Sequence, residues 1–251
     1  VRDGELLALA AHYKGKGAFG VDKELKLEAF AYDPKADAWT FKGVVFDNAI
    51  NNFPPEELPG GGWMMTRRDS RFNVYTLTGG VKGLDDWKSV PVVDRNRAVK
   101  ETGFSPDEPI WWPQPDKTLV ALFRDNGGSN RIWRSTSSDG GQTWTAPGKT
   151  NFPNAPSKLF SLRTAGGTRV LVSNANPKLG RRELHVSSSA DGRVFTRMAR
   201  LDIPSPKPAT LQYPHAVEHD GHLYVAFSRN KTAIEVVRVR VADVEPARPG
   251  K

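Results

Sequence analysis

The amino-acid sequence predicts an all-β chain folded as a β-propeller. Three observations carry this: an apolar phrase repeated five times, strand-like alternation punctuated by turn residues, and a recurrent hairpin centred on an aspartate. The phrase is a short apolar run ending in a polar cluster: LLALAAHYK (6–14), WMMTRRDS (63–70), LVALFRDN (119–126), RVLVSNAN (169–176) and LYVAFSRN (223–230). Aligned on His12, Arg68, Arg124, Asn174 and Ser228, the copies step by 56, 56, 50 and 54 residues (12 to 68, 68 to 124, 124 to 174, 174 to 228). Strand-rich units at such a period are the sequence signature of propeller blades. A propeller gathers the equivalent ends of its blades at one mouth, so the five polar clusters are expected to become neighbours.

Taken in order, the first copy follows Asp3-Gly4 almost at once, so its blade is expected to lack an innermost strand. The third is the clearest: EPIWWPQ, a turn at Asp116-Lys117, LVALFRDN, then RIWRSTSSDGGQTW. The fifth runs YPHAVEH, a turn at Asp220-Gly221, HLYVAFSRN, then IEVVRVRV. No stretch of a dozen residues carries a capped helical stripe. One propeller domain is therefore expected over residues 1–243, nominally six-bladed with about five blades present, followed by a disordered tail at 244–251. An open ring leaves strand edges unpaired. The natural protein is accordingly expected to extend further at the N-terminus, by roughly one blade or a little more.

The bulk composition narrows the chemistry. The 251 residues contain no cysteine, which excludes disulfides, thiolate metal sites and cysteine nucleophiles. His215, His219 and His222 have no carboxylate at zinc-binding spacing, so no metal and no other cofactor is expected. No apolar run is long enough to span a bilayer, and no signal peptide is visible. The formal charge of +8 points to an anionic partner. The basic residues are scattered, without an arginine-rich run or a recognition helix, so an acidic sugar is expected rather than nucleic acid.

Ser137-Ser138-Asp139-Gly140-Gly141-Gln142-Thr143-Trp144 fits the pattern S-x-D-x-G-x-T-W. Ser189 to Phe195 is a degraded copy, and Tyr32, Asp33, Pro34, Asp37 and Trp39 are a third trace. An aspartate can accept several backbone N–H groups in a tight hairpin, a glycine supplies a positive φ, and the aromatic packs between sheets. The motif is architectural.

Asp-box hairpins on a propeller resemble the sialidase (neuraminidase) superfamily, over about residues 100–241. The residues that carry the resemblance are Glu108 and Arg124, 16 apart in EPIWWPQPDKTLVALFR, the R-x-L-x-V run from Arg182 to Val186, and Tyr213 in LQYP, 31 residues after Arg182. The resemblance implies a sialidase-type propeller, secreted or periplasmic and monomeric, acting as an exo-glycosidase on a terminal acidic sugar with retention. It implies that Tyr213 is the nucleophile, Glu108 the base that takes its proton, and Arg124 and Arg182 two of the three arginines that grip the carboxylate. The chemistry is coherent: a guanidinium meets a carboxylate through two parallel bonds, and a phenol needs a neighbouring base to attack. The family's first arginine and its acid/base aspartate have no match here. Asp47, Asp69 and Asp125 are carboxylates outside the family's context, so the resemblance assigns no acid/base group in this sequence.

The repeat alignment adds candidates for the mouth: Arg67, Arg68 and Asp69 after the second copy, Lys158 opposite Glu108, and Arg229 and Lys231 after the fifth. Strand alternation lets only one of Arg181 and Arg182 face inward. Likewise, one of Trp111 and Trp112 is expected in the core and the other toward a sugar ring. His215, two residues after Tyr213, leaves open a second chemistry, a uronate lyase in which Tyr213 or His215 removes a proton beside a neutralised carboxylate. A non-catalytic carbohydrate-binding propeller is the third possibility.

Overall fold

The structure is a computed structural model that describes residues 4–14, 24–204 and 207–245. Five antiparallel sheets follow one another along the chain. The first contains β1 (Leu7–His12), β2 (Lys26–Asp33) and β3 (Ala38–Asp47) in that order. The second contains β4 (Glu56–Glu57), β5 (Trp63–Arg68), β6 (Val74–Gly79) and β7 (Trp87–Val93), and the third β8 (Pro106–Pro113), β9 (Leu119–Asp125), β10 (Arg131–Ser137) and β11 (Gly148–Pro153). The fourth contains β12 (Phe160–Arg163), β13 (Arg169–Ser173), β14 (His185–Ser189) and β15 (Arg197–Arg200), and the fifth β16 (Leu211–His219), β17 (His222–Arg229) and β18 (Ala233–Arg240). In every sheet the strands pair in sequence order, the meander of a propeller blade.

The five repeated phrases are β1, β5, β9, β13 and β17. The last four stand second in their sheets, flanked on both sides, which is why their apolar runs are buried: Met64 and Met65, Leu119 to Phe123, Val170 to Val172, and Leu223, Val225 and Phe227. β1 instead stands at the edge of the first sheet, in keeping with a blade whose innermost strand is missing from the described residues. Asp220 and Gly221, with φ of 47° and 68°, make the two-residue left-handed turn that matches the twist of a hairpin.

Two compact units divide the chain, one comprising Val1–Phe123 and Arg134–Gly148, the other Arg124–Trp133 and Lys149–Lys251. The strands of the third sheet are shared out between them. In the first unit, Leu27, Ala29, Val45, Ala49, Met65 and Leu77 form one buried cluster. Here the Asp-box hairpin packs onto β5: a Cβ on Gly141 (φ 87°) would come within 2.9 Å of the Met64 sulfur. In the second unit, Leu171, Val186, Leu211 and Val225 are buried from β13, β14, β16 and β17.

Two helices lie outside the strand reading. α1 (Arg95–Thr102) is capped by Asp94, which accepts from the Arg97 N–H at 2.9 Å, and ends at left-handed Gly103; none of its residues is buried. α2 (Val241–Val244) follows β18 and buries Val241 and Val244. The expected tail begins at that last turn, and 246–251 lie outside the described residues. Among the described residues no helix is long and apolar enough to cross a membrane.

The Asp boxes take the expected form. Asp139 accepts from the Gln142 and Thr143 N–H groups at 3.0 and 2.9 Å and from the Ser137 and Thr143 hydroxyls. These bonds, that of the Thr143 hydroxyl foremost, lower its pKa to about 2. Asp191 repeats the arrangement with Arg193, Val194 and Ser189.

Candidate functional site

Two residues singled out for chemistry sit in an unusual backbone conformation. Glu108 in β8 has φ of 45° and Tyr213 in β16 has φ of 55°, and each directly precedes a proline. A non-glycine residue in the left-handed region costs about 1–2 kcal/mol, and a following proline biases its predecessor toward extended backbone. At Tyr213 the pairing with β17 shifts register between Gln212 and His215, so the residue stands on a β-bulge. Local strain of this kind persists where the surroundings enforce it, and it concentrates at functional positions.

In the first unit, Glu108 is almost buried and its own N–H donates to the Asp107 carboxylate at 3.0 Å. That carboxylate also faces the Arg68 Nε at 3.0 Å, with both side chains nearly sealed from solvent. The Arg68 guanidinium lies 4.2 Å from the Phe72 ring centroid. Arg68, expected to bind substrate, is therefore the cation of a buried ion pair: Asp107 draws the end of β5 toward β8. Arg67 is structural too. It lies between the Tyr75 and Phe46 rings, at 3.9 and 4.8 Å, donating to the Asn48 carbonyl and the Ser89 hydroxyl. Burial lowers its pKa from the usual value. Asp69 accepts from the Arg71 and Asn73 N–H groups and from the Asn73 side chain, holding the turn after β5. Trp111 and Trp112 are both buried, so the expectation of an exposed sugar-stacking member is corrected. Both faces of β8 are covered.

In the second unit, Tyr213 keeps company with cations. The Arg181 guanidinium lies 5.9 Å from its ring centroid and the Lys231 ammonium 5.7 Å. Local structure explains how Arg181 reaches it. The Arg181 carbonyl accepts from the Leu211 N–H at 2.7 Å, and the Asn174 amide donates to the Glu183 and Leu211 carbonyls, so residues 181–183 are docked on the start of β16. The Arg181 guanidinium donates to the Gln212 side-chain oxygen and to the Pro156 carbonyl. Arg182, the residue expected to face the ligand, is exposed and donates to the Leu179 carbonyl at 3.0 Å. Of the two, Arg181 is the one beside Tyr213. Residues 181–184 precede β14, so strand alternation does not govern them.

Arg229 is bound through two nitrogens by Glu235, from the neighbouring strand, and donates to the Pro204 carbonyl. Arg229, expected to line the mouth, is thus engaged within its own hairpin. Arg124 closes β9 half-buried, next to Asp125, whose carboxylate accepts from the Gly127 and Ser129 N–H groups and so orders the following loop. His215 stacks on Phe160 with ring centroids 4.1 Å apart. Burial first, and the charge of Lys158 second, hold its pKa below the usual imidazole value. His219 and His222 flank the turn before β17, within 6.5 and 6.4 Å of the Tyr224 ring. Gln212 went unremarked in the sequence; only its position beside Tyr213 marks it.

Blades pinned by Asp-box hairpins, with a strained tyrosine among cations on one of them, define the class as a sialidase-type β-propeller. The chain belongs to the family described as the BNR repeat-like domain, which matches residues 60–225. Solved structures agree on the fold. A Hadza microbial sialidase aligns with a TM-score of 0.69 at 14% identity, over 96% of this chain and 51% of its own. A protein of unknown function from Dyadobacter fermentans gives 0.66 at 17% identity, over 94% and 72%. The intramolecular trans-sialidase from Ruminococcus gnavus, solved with oseltamivir carboxylate, gives 0.64 at 15% identity, over 97% and 60%. The chain thus spans about half to three-quarters of these proteins. Comparison with curated proteins finds no match.

Proposed function

We propose that the protein is a sialidase-like glycoside hydrolase that releases a terminal acidic sugar with retention of configuration. Tyr213 is the nucleophile. Its oxygen attacks the anomeric carbon as the glycosidic C–O bond breaks, the phenolic proton ending on the departing oxygen, and water then hydrolyses the tyrosyl intermediate and returns a proton to the phenol. Arg181 replaces Arg182 in the grip on the carboxylate. The observation that carries this reading is the left-handed backbone at Tyr213, with Arg181 and Lys231 within 6 Å of its ring. An anionic donor would repel a carboxylate nucleophile, whereas a neutral phenol among cations can approach it. Secretion and the anionic-glycan partner follow from the same reading. The test is turnover of a fluorogenic aryl sialoside. The protein should release the fluorophore, and Tyr213→Phe should abolish release; unchanged turnover in Tyr213→Phe removes the nucleophile. Glu108→Gln in the same assay tests the base role that the sequence resemblance gives Glu108.

One observation favours a second reading. His215 is kept toward its neutral form, and its pKa feels the charge of Lys158, so an imidazole base accompanies a cation suited to a uronate carboxylate. Appearance of unsaturated uronate from an acidic polysaccharide, lost in His215→Ala, would select it. Binding without turnover of either substrate would select a carbohydrate-binding propeller.

A further inference from the structure

The cations near Tyr213 differ from two other candidate site arginines, Arg68 and Arg229, in the fate of their charge. Arg68 is paired with Asp107, Arg229 with Glu235, Arg240 with Asp243, Arg200 with Glu183 and Lys42 with Glu5. Among the described residues, Arg181 and Lys231 have no ion-pair partner. The two hydrogen-bond acceptors of Arg181, the Gln212 amide oxygen and the Pro156 carbonyl, are neutral. Two uncompensated cations therefore converge on one phenol ring.

Lys231 is also held in place. It and Asn230 are the left-handed centre of the turn joining β17 to β18, with φ of 60° and 54°, closed by the Thr232 N–H on the Arg229 carbonyl at 3.0 Å. The turn is tied to the residue before β16: Asn230 accepts from the Thr210 N–H at 2.8 Å and donates its own N–H to the Thr210 carbonyl at 2.9 Å. The Gln212 amide nitrogen donates to the Thr210 hydroxyl at 2.8 Å while its oxygen accepts from Arg181. One buried glutamine thus links the arginine to the lysine-bearing turn.

We propose that Lys231 is a specificity-determining residue that binds the anionic group of the ligand together with Arg181, and that Gln212 is the positioning residue that sets the two cations in register around Tyr213. The proposal rests on Tyr213 marking the ligand site. It commits the ligand class to monoanionic sugars and assigns no bond making to Lys231.

Calorimetric titration tests this without turnover, with N-acetylneuraminic acid as the anionic probe and N-acetylglucosamine as the neutral one. The protein should bind the acid and not the neutral sugar. A charge-assisted contact is strong enough that Lys231→Met should weaken acid binding about tenfold, and Lys231→Arg should restore most of it. All three side chains tolerate the same backbone, so thermal midpoints should stay together. In a Gln212→Ala background the further loss from Lys231→Met should shrink, the signature of coupled residues. Equal affinity of Lys231→Met and the parent protein overturns the proposal, as does a parent protein that binds neither probe. Acid binding through Lys231 without sialoside hydrolysis leaves this proposal standing and removes the hydrolase. Hydrolysis that ignores Lys231→Met, with acid affinity unchanged, does the reverse.

Discussion

In β8 the backbone turns left-handed at Glu108, directly before Pro109; in β16 it does so at Tyr213, directly before Pro214. Both residues sit near the start of the first strand of a sheet, and each sheet's second strand is one of the five repeated phrases. Their charge environments differ. Around Glu108 the nearby arginine, Arg68, is cancelled by Asp107 and sealed from water. Around Tyr213, Arg181 bonds only to neutral oxygens, and Lys231 is exposed on its turn. The same backbone device therefore presents a carboxylate beside an internally satisfied ion pair in one place, and a phenol beside unsatisfied cations in the other. A cation already matched by the protein has less left to offer a ligand, so charge accounting, more than backbone strain, is what sets the two regions apart.

The sharpest way to break this contrast is to remove one arginine from each region. Arg68→Met removes the cation of the Arg68–Asp107 pair, and loss of one member of a buried pair costs about 3–5 kcal/mol. Arg181→Met loses hydrogen bonds to neutral partners, worth about 1–3 kcal/mol together, and should instead lose affinity for an acidic sugar. Urea unfolding of both variants, with calorimetry on the folded ones, reads the two effects separately. A greater stability loss in Arg181→Met than in Arg68→Met would show that the second region is the structural one.

Backbone strain gives a smaller effect, expected to be equal in the two regions. At either position a glycine adopts the left-handed conformation freely, whereas an alanine bears the Cβ penalty. Glu108→Gly should be more stable than Glu108→Ala by about 1 kcal/mol, and Tyr213→Gly more stable than Tyr213→Ala by a similar amount. Comparing Gly with Ala at one position cancels the side-chain contacts both have lost. A difference at only one of the two positions would mean that the other relaxes to ordinary backbone, and the shared device would be lost from the comparison.

How far this was legible in the sequence follows from the range of each interaction. Four of the five phrases read as strands because burial on both faces of a second strand demands apolar runs, and the Asp boxes read as hairpins because Asp139 satisfies groups within four residues of itself. α1 escaped notice because it buries nothing; only its caps, Asp94 and Gly103, mark it. Tyr213 was found through the resemblance, at the head of an inner strand 31 residues after Arg182, yet its left-handed backbone contradicts what a following proline suggests. Arg182 was preferred over Arg181 because it opens the R-x-L-x-V run, and strand alternation could not choose between them in a segment that precedes β14. The burial of Arg68 was invisible because its partner, Asp107, lies on another sheet, and nothing within the repeat announces a cross-sheet ion pair. The hairpin partner of Arg229, Glu235, six residues away, also went unread, because a β-strand sequence does not say which of its charges meet across the turn.

The smallest expected effect concerns pH, and it distinguishes the region around β16 from the Asp-box hairpin. The pKa of His215 is lowered, by burial against Phe160 and then by Lys158, so the unfolded chain binds a proton more readily than the folded one. Stability contributed by such a group is present above the ordinary imidazole pKa of about 6.5 and is lost as pH falls below it. His185, lowered by its own burial against the opposing pull of Glu183, acts in the same direction. Asp139, held at about 2, keeps its contribution until the pH falls below the ordinary aspartate pKa near 4. Thermal midpoints measured from pH 7.5 downward should therefore decline in two stages, the first near neutrality and the second in strong acid. His215→Phe should shallow the first stage and leave the second in place, with His185 accounting for what persists; Asp139→Asn should act on the second alone. If His215→Phe leaves the first stage untouched, the imidazole is as solvated in the folded protein as in the unfolded chain, and the cationic, partly dry surroundings assigned to the β16 region do not reach beyond Tyr213.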